Sequence, residues 1–550
     1  MRRGSRRSLR FAALGLAFTL VGAACGGDDN GGGGKSNGGG PNPTEETGTP
    51  TPGGTLTYAI EAESSGGYCL VEAQLAAGGM QVAQAVYDPL FAFDEDLKPK
   101  PYLAESMTPS ADYKSFTIKL RSGVKFHDGS DLTADVVKDN FDLLRGEPEA
   151  SKKYGRTSLL FRFVYSNIDS VTVSDPLTVV VNMKVAWPAF PDYLAGGRNG
   201  IMGKAQYSDP DCAEKMVGTG PFKLDSWERG QSMELSKNPT YWRKDKDGKQ
   251  LPYLDKVVFR PIAGTPDRYD ALDGGTIDAM HFGLQSVMDQ IESDDRFVLI
   301  KEPDGHKEVA YGLVNSAKAP LDDVEVRRHM GMAIDRDTLN DIANDGQARI
   351  ADGPFDTKVM GYLKDPGVLE HDPDKAAEFF KGKNISVRVS YATDPTTKAI
   401  AEEVKSELEG VGVKVSIDEK DQATLINQAI GGDFNILLWR NHPGADPDTQ
   451  YVWWHSGSPV NFGKITDPRI DKDLDEARSE LDPDKRRALY EDLNKAFAEG
   501  AYNQWNWYAN WAIGASNKVH NLTGTTLPDG SKGMGMHWGW HMLTETWVDQ

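Results

Sequence analysis

The chain has 550 residues, 61 of them Lys or Arg against 82 Asp or Glu, for a net charge of −21 at pH 7. Five of the arginines (Arg2, Arg3, Arg6, Arg7 and Arg10) precede residue 25, so the remainder is more acidic still. Such a chain is repelled by phosphate backbones and anionic lipid heads, which argues against nucleic acid or a membrane surface as its partner. Hydrophobic residues make up 39%, the composition of a water-soluble body with several domain-sized units and a large core.

The first 25 residues are organised as an address. A basic start leads into an apolar run from Phe11 to Val21, then Gly22, Ala23 and Ala24 ahead of Cys25. The run is far short of the roughly 20 residues that cross a bilayer as a helix, so residues 1–24 are expected to be a signal peptide. A cysteine directly after small residues resembles a bacterial lipobox, with Gly22 where an aliphatic residue is usual. Cys25 is therefore expected to carry a lipid that anchors the body outside the cell membrane. The stretch Ser5–Arg10 also resembles a twin-arginine export motif. Residues 25–52 are rich in Gly, Asn, Pro and Thr, a flexible tether by composition. Two cysteines remain beyond it, Cys69 and Cys212, and an oxidising compartment favours a bridge between them over two buried thiols.

The body opens with a strand over 55–60 and a helix near 79–87. Residues 116–120 alternate apolar and polar as a half-buried strand does. A short strand is expected at 124–126, ahead of the turn at Asp128 and Gly129, and Thr133 is the expected N-cap of a helix over 134–144. Further strands are expected at 171–173, 178–183, 232–236 and 256–260. In the second half, helices (323–335, 374–381, 397–410) alternate with strands (385–391, 413–417, 434–439), which predicts α/β units around a largely parallel sheet. Helices at 469–480 and 483–499 follow, the latter behind Asp482 and Pro483. No short period repeats, which excludes solenoids and propellers.

Several blocks carry a resemblance. Pro101–Ser106 and Phe116–Gly129 form the first, and Gly218–Phe222 leading to Asn238–Trp242 the second. Val326-Arg327-Arg328 then leads to Ala333–Arg336, followed by Asp372–Ala376 and Arg486–Tyr490. In this order they resemble the family 5 bacterial extracellular solute-binding proteins, the peptide- and nickel-type receptors of ABC importers. The resemblance implies a two-lobed α/β fold of the type II periplasmic binding protein kind, with an extra inserted domain. Domain I is then 53–87, 205–305 and 512–550, domain II 88–204 and domain III 306–511, with hinge strands near 303–312 and 505–514. It implies a monomer that takes a small solute, a short peptide by family habit, and delivers it to permease subunits. No enzyme activity and no cofactor are expected.

In peptide-binding relatives the loop after the strand at 434–438 has an aromatic residue and, three positions on, an aspartate that holds the ligand's ammonium. Here Trp439 is followed at that spacing by His442. Trp439, Asn441 and His442 are candidate ligand contacts, and Asp446 is a candidate for the missing carboxylate. Asp446 and Asp448 building a turn around Pro447 is the alternative. Tyr68, Tyr311 and Asn315 are further candidates by position in the family. Of Trp505 and Trp507, in one strand-like run, a single ring is expected to face the cleft, and Trp505 is the candidate. His127-Asp128-Gly129 reads as a turn. His537 and His541 have a spacing that suits a metal on a helix, but Gly539 between them argues strand or loop, so no metal site is expected. No nucleophile elbow, phosphate loop or zinc-protease motif is present. The competing readings are an exported hydrolase and a signalling or adhesion lipoprotein on the same fold.

Overall fold

The computed structural model describes residues 48–64 and 66–550; the leader, Cys25 and most of the tether lie outside them. Thr55–Ile60 alternates its side chains between two apolar environments, Leu56, Tyr58 and Ile60 on one face and Ala59 on the other. A strand buried on both faces belongs in the middle of a sheet. It runs parallel to both of its neighbours, Lys256–Pro261 and Ala279–Phe282. Seven strands form this sheet, in the order Phe297–Lys301, Ala512–Ser516, Ala279–Phe282, Thr55–Ile60, Lys256–Pro261, Ser232–Lys237 and Phe222–Glu228.

Between its first and later strands the chain builds a four-stranded antiparallel sheet, ordered Ala104–Pro109, Ser115–Leu120, Thr178–Met183 and Ile168–Asp175. The alternation read from the sequence holds: Phe116, Ile118 and Leu120 are buried while Thr117 and Lys119 face solvent. The helix Ala134–Leu144 begins at Thr133, whose hydroxyl accepts the amide of Val136. The expected strand at 124–126 reduces to a single bridge, Lys125 to Asp131, because the turn at Gly129 follows too closely for a ladder to grow. This sheet and the seven-stranded one share an apolar core. Cys69 and Cys212, both buried, are joined by a disulfide with Cα atoms 5.1 Å apart.

The second lobe is built on five strands, Lys414–Lys420, Ser386–Ala392, Ile436–Asn441, Val309–Val314 and Asn503–Tyr508. Val309, Tyr311 and Leu313 point into one core and Ala310 and Val314 into another. The sheet is mixed, not largely parallel. Ser386–Ala392 is parallel to both neighbours, but Val309–Val314 is antiparallel to both of its own. The reason is connectivity, since Val309–Val314 brings the chain into this lobe and Asn503–Tyr508 takes it out. The passages at 302–308 and 509–511 lie side by side, with Glu302 N donating to Trp511 O and Ala509 N to Glu308 O, each at 2.8 Å.

Candidate functional site

A cavity of about 790 Å³ lies between the lobes, within the about 300–1,000 Å³ usual for a small-ligand site. The carboxyl end of Ile436–Asn441 opens into it, where α/β sheets expose their binding loops. Trp439 lines it, half-buried and edge-on to Phe462 with ring centres 6.2 Å apart. Tyr311, Asn441 and His442 also line it. Asn441 is 6% exposed, and its side-chain N–H group has no partner among the described residues.

His442 enters the cavity already engaged. Its Nδ1 pairs with a carboxylate oxygen of Glu308 on the first passage between lobes. The other oxygen of Glu308 accepts from Trp511 Nε1 at 3.1 Å and lies 3.5 Å from the Arg440 guanidinium. Burial acts to raise the Glu308 pKa, but the charges of His442 and Arg440 and the hydrogen bonds from His442 and Trp511 override it and hold it at about 2. The Arg440 guanidinium sits 4.7 Å from the centre of the Trp511 ring, and the His442 ring lies 5.4 Å from that of Trp538.

Other expected contacts lie elsewhere. Asp446 caps the turn Pro447–Gln450, is gripped through both oxygens by Arg486, with Nη2 to Oδ1 at 2.6 Å, and lies outside the cavity lining. Asn315 is buried and donates to the Gly432 carbonyl at 2.9 Å, tying two loops together. Tyr68 is buried beside the disulfide with its ring 5.4 Å from that of Trp227, outside the cavity lining. Trp505 packs on Tyr311 and Phe497 behind the wall, and Trp507 takes the cavity position. A bulge opposite Ala310 and Tyr311 sends the two indoles to opposite faces.

Asp448 has a different part. It is fully buried, receives Arg478 Nε at 3.0 Å, and accepts Trp187 Nε1 at 2.6 Å and the Tyr193 hydroxyl at 3.1 Å. Trp187 and Tyr193 pack in the core of the first lobe, so this carboxylate joins the lobes beside the cavity. His127 ties its turn to a distant segment, Nε2 meeting Gly220 O at 3.0 Å and Nδ1 accepting the amide of Gly218, as a scaffold residue. His541 Nε2 meets the Tyr58 hydroxyl at 3.2 Å while His537 lies beside Glu302. Among the described residues no group of three or more His, Cys, Asp or Glu is placed to hold a metal ion. Glu308, Arg440, Trp511 and Trp538 were not separable by sequence reasoning; the concentration of tryptophan after residue 505 was the available signal for the last two.

Residues 98–463 match the family model described as bacterial extracellular solute-binding proteins, family 5 middle. Over 476 residues the chain is 27% identical to the glutathione-binding protein GsiB of Pectobacterium atrosepticum, covering 82% of this chain and 87% of that protein. The periplasmic binding protein DppA from Helicobacter pylori, solved in complex with the peptide STSA, superposes with a TM-score of 0.80 at 22% identity, covering 91% of this chain and 99% of the other. The oligopeptide-binding protein AppA from Bacillus subtilis, solved with a nonapeptide, gives 0.79 at 22% identity over 91% of this chain and 100% of its own. The family match spans well over half of the residues, and the chain belongs to the family 5 bacterial extracellular solute-binding proteins, which are receptors and not enzymes.

Proposed function

We propose that this protein is the extracytoplasmic receptor of an ABC importer, held to the membrane by a lipid on Cys25, which closes its lobes on a short peptide and delivers it to the permease. The observation that carries the reading is the composition of the cavity wall. Trp538 comes from the first lobe, Trp439 and Trp507 from the second, and Trp511 from the passage between them, so the aromatic surface is complete when the lobes meet. The solved relatives DppA and AppA hold peptides, and GsiB is named for glutathione, which supports a peptide-like solute. The domains are 53–87 with 205–305 and 512–550, then 88–204, then 306–511, and the two neighbouring passages act as the hinge. Trp439, Tyr311, Asn441 and His442 are the contacts retained from the sequence.

Native mass spectrometry of protein purified without denaturation tests the receptor role, and a peptide recovered with the protein is the expected result. Replacing Cys25→Ser is expected to move the protein from the membrane pellet to the soluble fraction. Retention in the pellet would refute the lipid anchor.

A further inference from the structure

The charged groups lining the cavity divide into those already committed to the protein and those that are not. Asp394 caps a helix, accepting both the amide and the hydroxyl of Thr397 at 2.8 Å. Asp421 does the same for Thr424. Glu308 is engaged by His442, Arg440 and Trp511 as described. Asp192 is held well above the usual carboxylate range by burial and by the charge of Asp446, against the pull of Arg486. On the cationic side, Arg268 donates to the carbonyls of Ile262 and Ala263 and to the Thr265 hydroxyl.

Arg440 leans on Glu308 at 3.5 Å, and two further charged groups keep hydrogen-bonding capacity toward the cavity. Glu61 follows the central strand of the first lobe, and its carboxylate receives no hydrogen bond among the described residues. His281 lies 4.0 Å away as a neutral ring, and Arg268 and Arg440 act on the carboxylate without a hydrogen bond to it. The imidazole Nε2 accepts the amide of Glu61, which leaves Nδ1 to donate to the Gly539 carbonyl; burial further favours the neutral ring. Arg198 follows the helix Phe190–Ala195. Its Nε donates to the Leu75 carbonyl at 2.9 Å, and its two terminal N–H₂ groups, with no carboxylate in contact, have no partner among the described residues. Arg268 and Arg440 act on Glu61, and Glu308 on Arg198, through space only, so the carboxylate and the guanidinium keep hydrogen-bonding capacity that a ligand group of opposite charge can take up.

We infer that the solute is a zwitterion, its cationic group received by Glu61 and its carboxylate by Arg198. This rests on the receptor reading and deepens it. Recognition of the ammonium is thereby moved off the loop that carries His442 to the opposite lobe. Free-ended peptides and amino-acid-derived zwitterions fit; neutral sugars do not.

The test is calorimetric titration of the parent, Glu61→Gln, Arg198→Gln and Arg198→Lys with tri- and tetra-alanine in three forms: free at both ends, N-acetylated and C-amidated. The parent is expected to favour the free form over either blocked one by roughly 10- to 100-fold, as hydrogen bonds to charged groups contribute. Glu61→Gln is expected to lose the preference over the acetylated form alone. Arg198→Gln is expected to lose the preference over the amide alone, and Arg198→Lys to keep part of it. Equal binding of free and blocked peptides by the parent overturns the inference. If no alanine peptide binds, the solute recovered from native protein decides: a zwitterion supports the assignment, and a solute lacking either charge overturns it while leaving the receptor reading intact. Protein that binds no probe and retains no solute refutes the receptor reading, and the inference with it.

Discussion

If the lobes open to admit solute, the buried bonds between Trp187, Tyr193 and Asp448 must break and reform in each cycle. Replacing Trp187→Phe removes the indole N–H that donates to Asp448 Oδ2 at 2.6 Å while keeping an aromatic ring in the core. Trp187 does not line the cavity, so any effect on affinity is indirect. A hydrogen bond to a charged group contributes about 1.5–3 kcal/mol, and the carboxylate loses one of its donors where water cannot replace it. At about 1.4 kcal/mol per decade this weakens solute binding on the order of 10- to 100-fold. The smaller ring also leaves a void in the first lobe, which lowers the melting temperature whether the lobes are open or closed. Titration calorimetry with the recovered solute separates the two effects. Small-angle scattering of the ligand-free protein is expected to show a more open average shape for the variant. A lower melting temperature with an unchanged dissociation constant would refute the reasoning, because the contact would then be permanent packing and not a closure bond.

Trp439→Ala is expected to weaken binding of the recovered solute by about 1–3 kcal/mol while leaving the melting temperature nearly unchanged; an unchanged dissociation constant would move the aromatic wall elsewhere. Glu308, depressed from 4.5 to about 2, stabilises the folded chain above its unfolded value and loses that contribution as pH falls through the folded one. Glu308→Gln is therefore expected to cost about 3 kcal/mol in urea unfolding at pH 7, with the gap to the parent closing as pH is lowered from about 4.5 toward 2. A gap that stays constant across that range would refute the assignment of the ion pair. Replacing both Cys69→Ser and Cys212→Ser is expected to cost about 2–5 kcal/mol in denaturant unfolding without reductant, and no difference from the parent would remove the bridge from the account of stability.

What the sequence made legible was whatever depends on local pattern. Ser115–Leu120 and Thr178–Met183 announce themselves by alternation, and Thr133 and Asp482 by capping chemistry. Val309–Val314 has no such signature, since every residue in it is buried and both faces are apolar. The same limit governs the site. Trp439 and His442 could be placed by their position after a strand, but the fate of Asp446 turns on Arg486, 40 residues away on a long helix. Trp505 and Trp507 are two apart and would share a face in a regular strand, so the expectation that a single ring faces the cleft is met only through the bulge against Val309–Val314, and the ring is Trp507. Glu61 and Arg198 stand out as a pair through what their neighbours have already taken, which requires the neighbours' positions.

The disulfide has a further consequence for proteolysis. Cys69 and Cys212 are separated by 143 positions, and the whole four-stranded sheet is threaded between them. The backbone there forms a covalently closed ring, so a single cut at any peptide bond from 70 to 211 divides the chain without releasing a fragment. Both pieces keep their seats on the shared core, and a nicked molecule runs as one species until its thiols are reduced. Surface loops of the inserted sheet can therefore be clipped, lengthened or shortened with the strands on either side still tethered at the base.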